Sequence, residues 1–233
     1  MPSPIFDGLN IRLSVLLNDP VGAAGTDGVT YSSALRTEYL NISSKMFWNM
    51  HYNTNKGHFR KDNFKIDRFA DFINEVTLSS GASSDITVSS YKIAEILQLC
   101  HIGLGIKFNV INASEALLAG MSAEKMYYAT EQSPKCYLAY PGRATIYVLP
   151  NVAAYKSQTN KYKLTYLKYP ETYTVNSATE LLEWNASFHT SLLKLAMAQA
   201  LQDDGNQQAF DNYYQSVLNE YVLDIQEMKE VKK

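Results

Sequence analysis

Residues 188–225 read FHTSLLKLAMAQALQDDGNQQAFDNYYQSVLNEYVLDI, and the spacing of their apolar positions sets the expected fold. Phe210, Tyr214, Val217, Tyr221 and Ile225 recur at steps of four and three, which places them on one face of a 3.6-residue helix. Trp184, Phe188, Leu192, Leu195 and Gln199 follow the same rule upstream, and Leu193, Met197, Ala200 and Leu201 widen that stripe. Between the two lies Asp203-Asp204-Gly205-Asn206. Glycine suits the left-handed residue that ends a helix, and asparagine suits the cap of the next. So short a link predicts two antiparallel helices packed on each other, with apolar surface left for a further element.

The front of the chain supplies that element. Thr30-Tyr31-Ser32-Ser33 reads as a helix start, and Leu35, Tyr39, Ile42, Met46 and Met50 follow at helical steps, with Phe47 and Trp48 broadening the face. Ahead of it, residues 5–18 begin with a short apolar alternation (Ile11, Leu13, Val15) that stops at Asn18-Asp19-Pro20. Residues 53–65 read as an exposed basic loop and residues 66–78 as a shorter helix carrying Phe69, Phe72, Ile73 and Val76. Ser79 to Asp85 reads as a flexible junction.

Beyond it the texture is mixed. Ile93, Ile96, Leu97 and Cys100 share a helical face that Ser89 or Ser90 would cap and Gly103 would end. Residues 107–111 read as a strand, and residues 112–120 and 122–129 as short helices. Residues 135–140 and 144–149 read as a strand pair turned through Pro141-Gly142. Residues 161–169 put Tyr162, Leu164 and Tyr166 on one strand face, with Lys161 and Lys163 on the wet one, where lysines also protect a strand edge. The expected fold class is therefore α+β, mainly α: an antiparallel helix bundle with a mixed, partly β-rich insertion. The expected division is residues 1–80 as the N-terminal part of the bundle, 81–176 as the insert, and 177–233 as the helix pair completing the bundle.

At 233 residues, 46% hydrophobic and 19% charged, the chain has the composition of a packed protein. A net charge of −2 gives no general reason to bind nucleic acid. The charge is uneven, with nine acidic residues against four lysines from Ser177 onward and six basic against two acidic from Glu131 to Val175. Seventeen tyrosines accompany two tryptophans, a bias that suits surfaces wet on one side and dry on the other. The N-terminus lacks the charged start and apolar run of a signal peptide, and no apolar stretch reaches the ~18 residues of a membrane helix. No nucleotide-binding glycine fingerprint, no metal-ligand cluster and no catalytic motif is present, and Cys100 and Cys136 read as reduced, buried thiols. No cofactor, no metal and no enzymatic activity is expected. A basic cluster of Lys56, His58, Arg60 and Lys61, beside His51, is the candidate for an anion or nucleic-acid contact, weighed against a merely solvated loop. The basic and aromatic residues interleaved over residues 161–169 are read as half-buried strand rather than as a nucleic-acid platform. His189 is placed at the edge of the bundle as a hydrogen-bonding residue.

Three segments carry a resemblance. They are Asp27-Gly28-Val29-Thr30-Tyr31-Ser32 leading into Leu35-Arg36-Thr37-Glu38-Tyr39-Leu40-Asn41; residues 137–150 followed by residues 164–170; and Phe188-His189 through residues 196–201 with Asp203-Asp204. Together they resemble head-to-tail adaptor (connector) proteins of tailed bacteriophages, of the podovirus-like or crAss-like kind. The resemblance implies a structural virion protein of the neck, made in the host cytoplasm. It would form a homo-oligomeric ring, usually of twelve copies, beneath the portal protein, extend the DNA channel and dock the tail or further neck proteins. Genomic DNA would pass through without specific binding, and no membrane is involved. Subunit or portal contacts would fall to Tyr213, Tyr214, Tyr221, Met228 and Val231. The alternatives are another neck or tail structural protein, such as a stopper or tail-tube-like protein, and a nucleic-acid-binding accessory protein.

Overall fold

The computed structural model describes residues 4–19, 30–55, 67–112, 114–116, 129–139, 144–172, 184 and 186–230. The chain divides into two compact units, Met1–Lys56 together with Pro170–Lys233, and Gly57–Tyr169. The first is helical and draws on both chain ends. The second is built on a sheet.

The helical unit consists of α1 (Pro4–Leu16), α2 (Ser33–Asn55), α3 (His189–Asp203) and α4 (Gln207–Glu230). Helix α3 packs against each of the other three. Its buried residues include Leu192, Leu193, Leu195, Ala196, Ala198 and Ala200, which lie around more than one face, as a central helix requires. The link to α4 is fixed locally. Gly205 sits at φ 82°, its N–H bonds to Gln202 C=O at 2.9 Å, and Asn206 N–H bonds to Leu201 C=O at 2.8 Å. These are the paired bonds of a Schellman ending. Asn206 Oδ1 then accepts Ala209 N–H at 3.1 Å and caps α4. At the front of α2, Ser32 Oγ accepts Leu35 N–H at 3.2 Å.

Residues 5–18 are not an alternating segment. Leu9 and Leu13, four apart, are buried while Ile11 and Val15 face out, so the apolar alternation is the accidental projection of a helix with Asn10 and Ser14 on its inner face. Polar side chains make the seam between α1 and α2. Arg36 Nε donates to Asn10 Oδ1 at 2.8 Å, and Asn10 Nδ2 donates to Thr37 Oγ1 at 3.0 Å and Ser33 C=O at 3.1 Å.

The second unit corrects the expected fold class. It is a seven-stranded, curled, mixed sheet, a half-barrel, and the chain is not the expected mainly α bundle carrying a mixed, partly β-rich insertion. The strands are β1 (Ile73–Leu78), β2 (Ile86–Thr87), β3 (Ile93–His101), β4 (Ile106–Val110), β5 (Lys135–Leu138), β6 (Thr145–Leu149) and β7 (Tyr162–Lys168). Their order is β1-β7-β3-β4-β5-β6-β2, with β4 and β5 parallel and the other pairs antiparallel. Two expected helices are strands. Of the segment 66–78 expected as a helix, the described residues give a 3₁₀ helix, Asp67–Phe72, followed by β1. The helical spacing of Ile93, Ile96 and Leu97 belongs to β3, where register shifts between Ile93 and Glu95 and between Ile96 and Gln98 break the two-residue alternation. Each bulge adds a residue, so inward positions fall at Ile93, Ile96 and Leu99 and imitate a helix.

Elsewhere the alternation holds. Tyr162, Leu164 and Tyr166 of β7 point into a core shared with Phe108, Cys136, Ile146, Val148 and Tyr155. Strand β7 lies between β1 and β3, so its lysines protect no edge. Ser79 to Asp85 is tied down, with Ser80 Oγ donating to Tyr155 C=O at 2.7 Å and Ser84 Oγ to Asn151 Oδ1 at 2.9 Å. Asn112 and Glu115 form a reciprocal capping box, Oδ1 accepting Glu115 N–H at 2.7 Å and Oε2 accepting Asn112 N–H at 2.8 Å. The remainder of the two short helices expected over 112–129 lies outside the described residues, apart from Ser114–Ala116 and Ala129. Among the described residues, no helix is long and apolar enough to cross a membrane.

Candidate functional site

The basic cluster Lys56, His58, Arg60 and Lys61 lies outside the described residues, as does Val231, and nothing is described of the Met228 side chain. His51 belongs to helix α2 rather than to a loop. It is buried in an aromatic cluster, 4.4 Å from Phe47 and 4.5 Å from Tyr221 between ring centroids, with Trp184 and Phe188 alongside. Trp184 Nε1 donates to Ser44 Oγ at 2.9 Å, and His189 Nε2 lies 3.1 Å from Trp184 C=O. Tyr221 is therefore committed to the interior of the helical unit. Tyr213 and Tyr214 are half-buried, and Tyr214 stacks on Phe210 at 5.7 Å and 11°. Of the described side chains on α4, Val217 and Tyr221 are the buried ones. Much of the helix's aromatic face is thus only partly covered. Helix α1 shows a second apolar surface, Ile11, Leu16 and Val15, the last 70% exposed. Exposed apolar side chains one helical turn apart are a recurrent mark of protein contact surfaces.

At the α3–α4 turn two aspartates sit at the negative end of a helix dipole, where a carboxylate is disfavoured. Tyrosine hydroxyls offset that. Tyr31 Oη donates to Asp204 and Tyr39 is hydrogen-bonded to Asp203, while the two rings meet edge to face at 6.3 Å. Burial, and then the hydrogen bond to Asp204, push Tyr31 up to about 12, and burial with the Asp203 contact raises Tyr39 further. In the sheet unit burial pushes Tyr162 up to about 12, while its Oη donates to Tyr155 C=O at 2.9 Å. A tyrosine whose folded pKa lies above its unfolded value near 10 contributes stability that is complete below pH about 10 and is lost as pH rises toward about 12. Alkaline titration followed by tyrosinate absorbance is therefore expected to show a late, cooperative step above pH about 10, coincident with loss of helical circular dichroism. Tyrosines all ionising near 10 with the fold intact would contradict it.

His101, at the end of β3, is 3% exposed. Its Nδ1 accepts Leu104 N–H at 3.2 Å, its ring meets Tyr162 edge-on at 5.0 Å, and burial, then Lys161, hold it below the usual imidazole range. It is a neutral core residue. Cys136 is fully buried; Cys100 is only half-buried, on the opposite face of the sheet, where its Sγ accepts Gln98 Nε2 at 2.8 Å. Among the described residues, no group of three or more His, Cys, Asp or Glu stands where it could hold a metal ion.

The outward face of the half-barrel is the feature that sequence reading missed. Lys163 pairs with Cys100, which pairs with Lys107, and Asn109 on the same face pairs with Lys135. Beside them the cross-strand pair Tyr137 and Tyr147 stacks at 5.4 Å and 25°. Glu75 bridges Lys163 at 2.8 Å. The tyrosines of β7, by contrast, point inward.

Fold and surfaces define a two-unit α+β chain, one helical unit with partly covered apolar faces and one curled sheet whose outward face is exposed at Lys107, Asn109, Tyr147 and Lys163. Compared with known proteins, the chain matches no family model, and no curated protein matches it.

Proposed function

We propose that the chain is a structural subunit of a tailed-phage neck, a head-to-tail adaptor whose copies close into a ring beneath the portal and dock the tail. The observation that carries this reading is the helical unit assembled from both chain ends, Met1–Lys56 with Pro170–Lys233, the sheet unit being inserted between them in sequence. In the adaptors that the chain resembles, helices from both ends of the chain form a bundle around an inserted segment. The apolar strip on α1 and the half-covered aromatic face of α4 are two different surfaces, and a ring needs two, because head-to-tail contacts join unlike patches. Tyrosine lets such a surface stay wet in the free subunit and become dry on assembly.

Negative-stain imaging of the purified chain tests the reading. Closed rings near twelvefold support it, and a field of single particles at high protein concentration contradicts it. Replacing Ile11 and Val15 together by aspartate places charge on the α1 strip without touching the buried Leu9 and Leu13. The double variant is expected to keep its circular dichroism while association weakens by at least about tenfold. Rings formed as readily as by the parent would remove α1 from the contact.

A further inference from the structure

We infer that the outward face of the sheet, through Lys107, Lys135 and Lys163 with the Tyr137–Tyr147 stack, binds single-stranded nucleic acid without sequence preference.

The charge of the chain is segregated by unit. Gly57–Tyr169 holds 13 lysines and arginines against 9 aspartates and glutamates, whereas the rest of the chain holds 8 against 14. A chain whose overall charge is −2 therefore contains a unit at +4. Three of its cations are gathered on one face by strand register. Lys163 and Lys107 flank Cys100 across three adjacent strands, which sets their Cα atoms about 10 Å apart at the usual strand spacing. Lys135 is the diagonal neighbour of Lys107, about 7–8 Å away. Lys107 and Lys163 are exposed and Lys135 is half-buried, on the other side of β5 from the buried Cys136.

The aromatic pair selects the ligand. Tyr137 and Tyr147 lie on the same side of β5 and β6 as Lys135, and Tyr147 is 41% exposed. A tyrosine pair already stacked on an open sheet face offers a platform that an unpaired base can extend, while lysines across the neighbouring strands take the phosphates. A duplex keeps its bases stacked on each other and can use only the lysines. Among the described residues, Glu75 bridges Lys163 at the end of this row far from the tyrosines, and Glu95 lies buried on the same face, opposite Leu167.

This inference is independent of the ring reading. Fluorescence anisotropy of a fluorescein-labelled oligo-dT, titrated with the full chain at low salt, tests it. Expected are binding that weakens with salt with a log–log slope of about −2 for three phosphate contacts, and weaker binding of a duplex of equal length. Lys107→Ala, Lys135→Ala and Lys163→Ala combined should reduce affinity at least about tenfold and flatten the slope. Tyr147→Ala should lose about tenfold while Tyr147→Phe retains binding, because the ring rather than the hydroxyl stacks. Glu75→Gln should tighten binding by releasing Lys163. Any of three results would overturn the inference: no binding at low salt; binding indifferent to these lysines but lost when Lys56, Arg60 and Lys61 are replaced; or a triple-lysine variant that alters self-association while oligo-dT binding is unchanged. The last would assign the face to a second copy of the chain.

Discussion

Replacing Arg36 by alanine is expected to destabilise the helical unit by about 3–5 kcal/mol, a large fraction of what holds an ordinary domain together. Arg36 is 0% exposed, in the first turns of α2. Its guanidinium donates to Asn10 Oδ1 and to Tyr31 C=O, joining α1, the residues entering α2, and α2 itself. Removing it leaves buried acceptors without their charged donor and opens a void where the stem packed, and each lost partner of this kind costs about 1–3 kcal/mol. Lysine recovers little, since a single ammonium cannot reach both acceptors in the fork geometry. Asn10→Ala removes part of the same seam and should cost about 1–2 kcal/mol. The two changes are expected to be less than additive because they break one network. Urea unfolding followed by helical circular dichroism measures each variant, and an Arg36→Ala midpoint indistinguishable from the parent's would show that the seam contributes nothing.

In the sheet unit the largest effect is expected from Phe108→Ala, about 3–5 kcal/mol. Phe108 is buried at the centre of β4, with its ring 5.3 Å from Tyr155 and 6.0 Å from Tyr162. Those rings are held in place, Tyr162 by its hydrogen bond to Tyr155 C=O and the same carbonyl by Ser80. The site therefore collapses poorly around a cavity, which places the loss toward the upper end of the range for aromatic truncation. Phe108→Leu refills most of the volume and should cost roughly half as much. Denaturant unfolding followed by near-ultraviolet circular dichroism, which reports the packed tyrosines, is the check. A loss below about 1 kcal/mol for the alanine variant would mean that the aromatic core is not what stabilises the sheet.

Much of the helical unit was legible because its signals are local. The α3–α4 turn needs a left-handed glycine and a capping asparagine, and Gly205 and Asn206 stand adjacent in the sequence. The apolar steps of α3 survive because that helix is buried by apolar neighbours. Helix α1 escaped because its inner face mixes the buried Leu9 and Leu13 with the polar Asn10 and Ser14, so the exposed Ile11 and Val15 on either side of Leu13 read as an alternation. The sheet was half legible. Strands β5 and β6, and β7 as far as Tyr166, alternate, but β1 follows a 3₁₀ helix whose Phe69 and Phe72 mimic helical spacing, and β3 carries two bulges that convert a period of two into steps of three.

The candidate surfaces were less legible than the fold. Tyr221 looked like a contact residue from its place on α4, yet three-dimensional packing turns it onto His51. The lysines and tyrosines of the open sheet face come from β4, β5, β6 and β7, separated by long stretches of chain. Only strand pairing assembles them, and no spacing rule within a single segment records that.

The proposal that this chain is built to hold copies of itself side by side is tested most directly by native mass spectrometry of the purified full chain. The account predicts a dominant closed species at about twelve times the 26.2 kDa chain mass, lost in the Ile11→Asp, Val15→Asp variant. A spectrum holding the single chain alone at every concentration would contradict it.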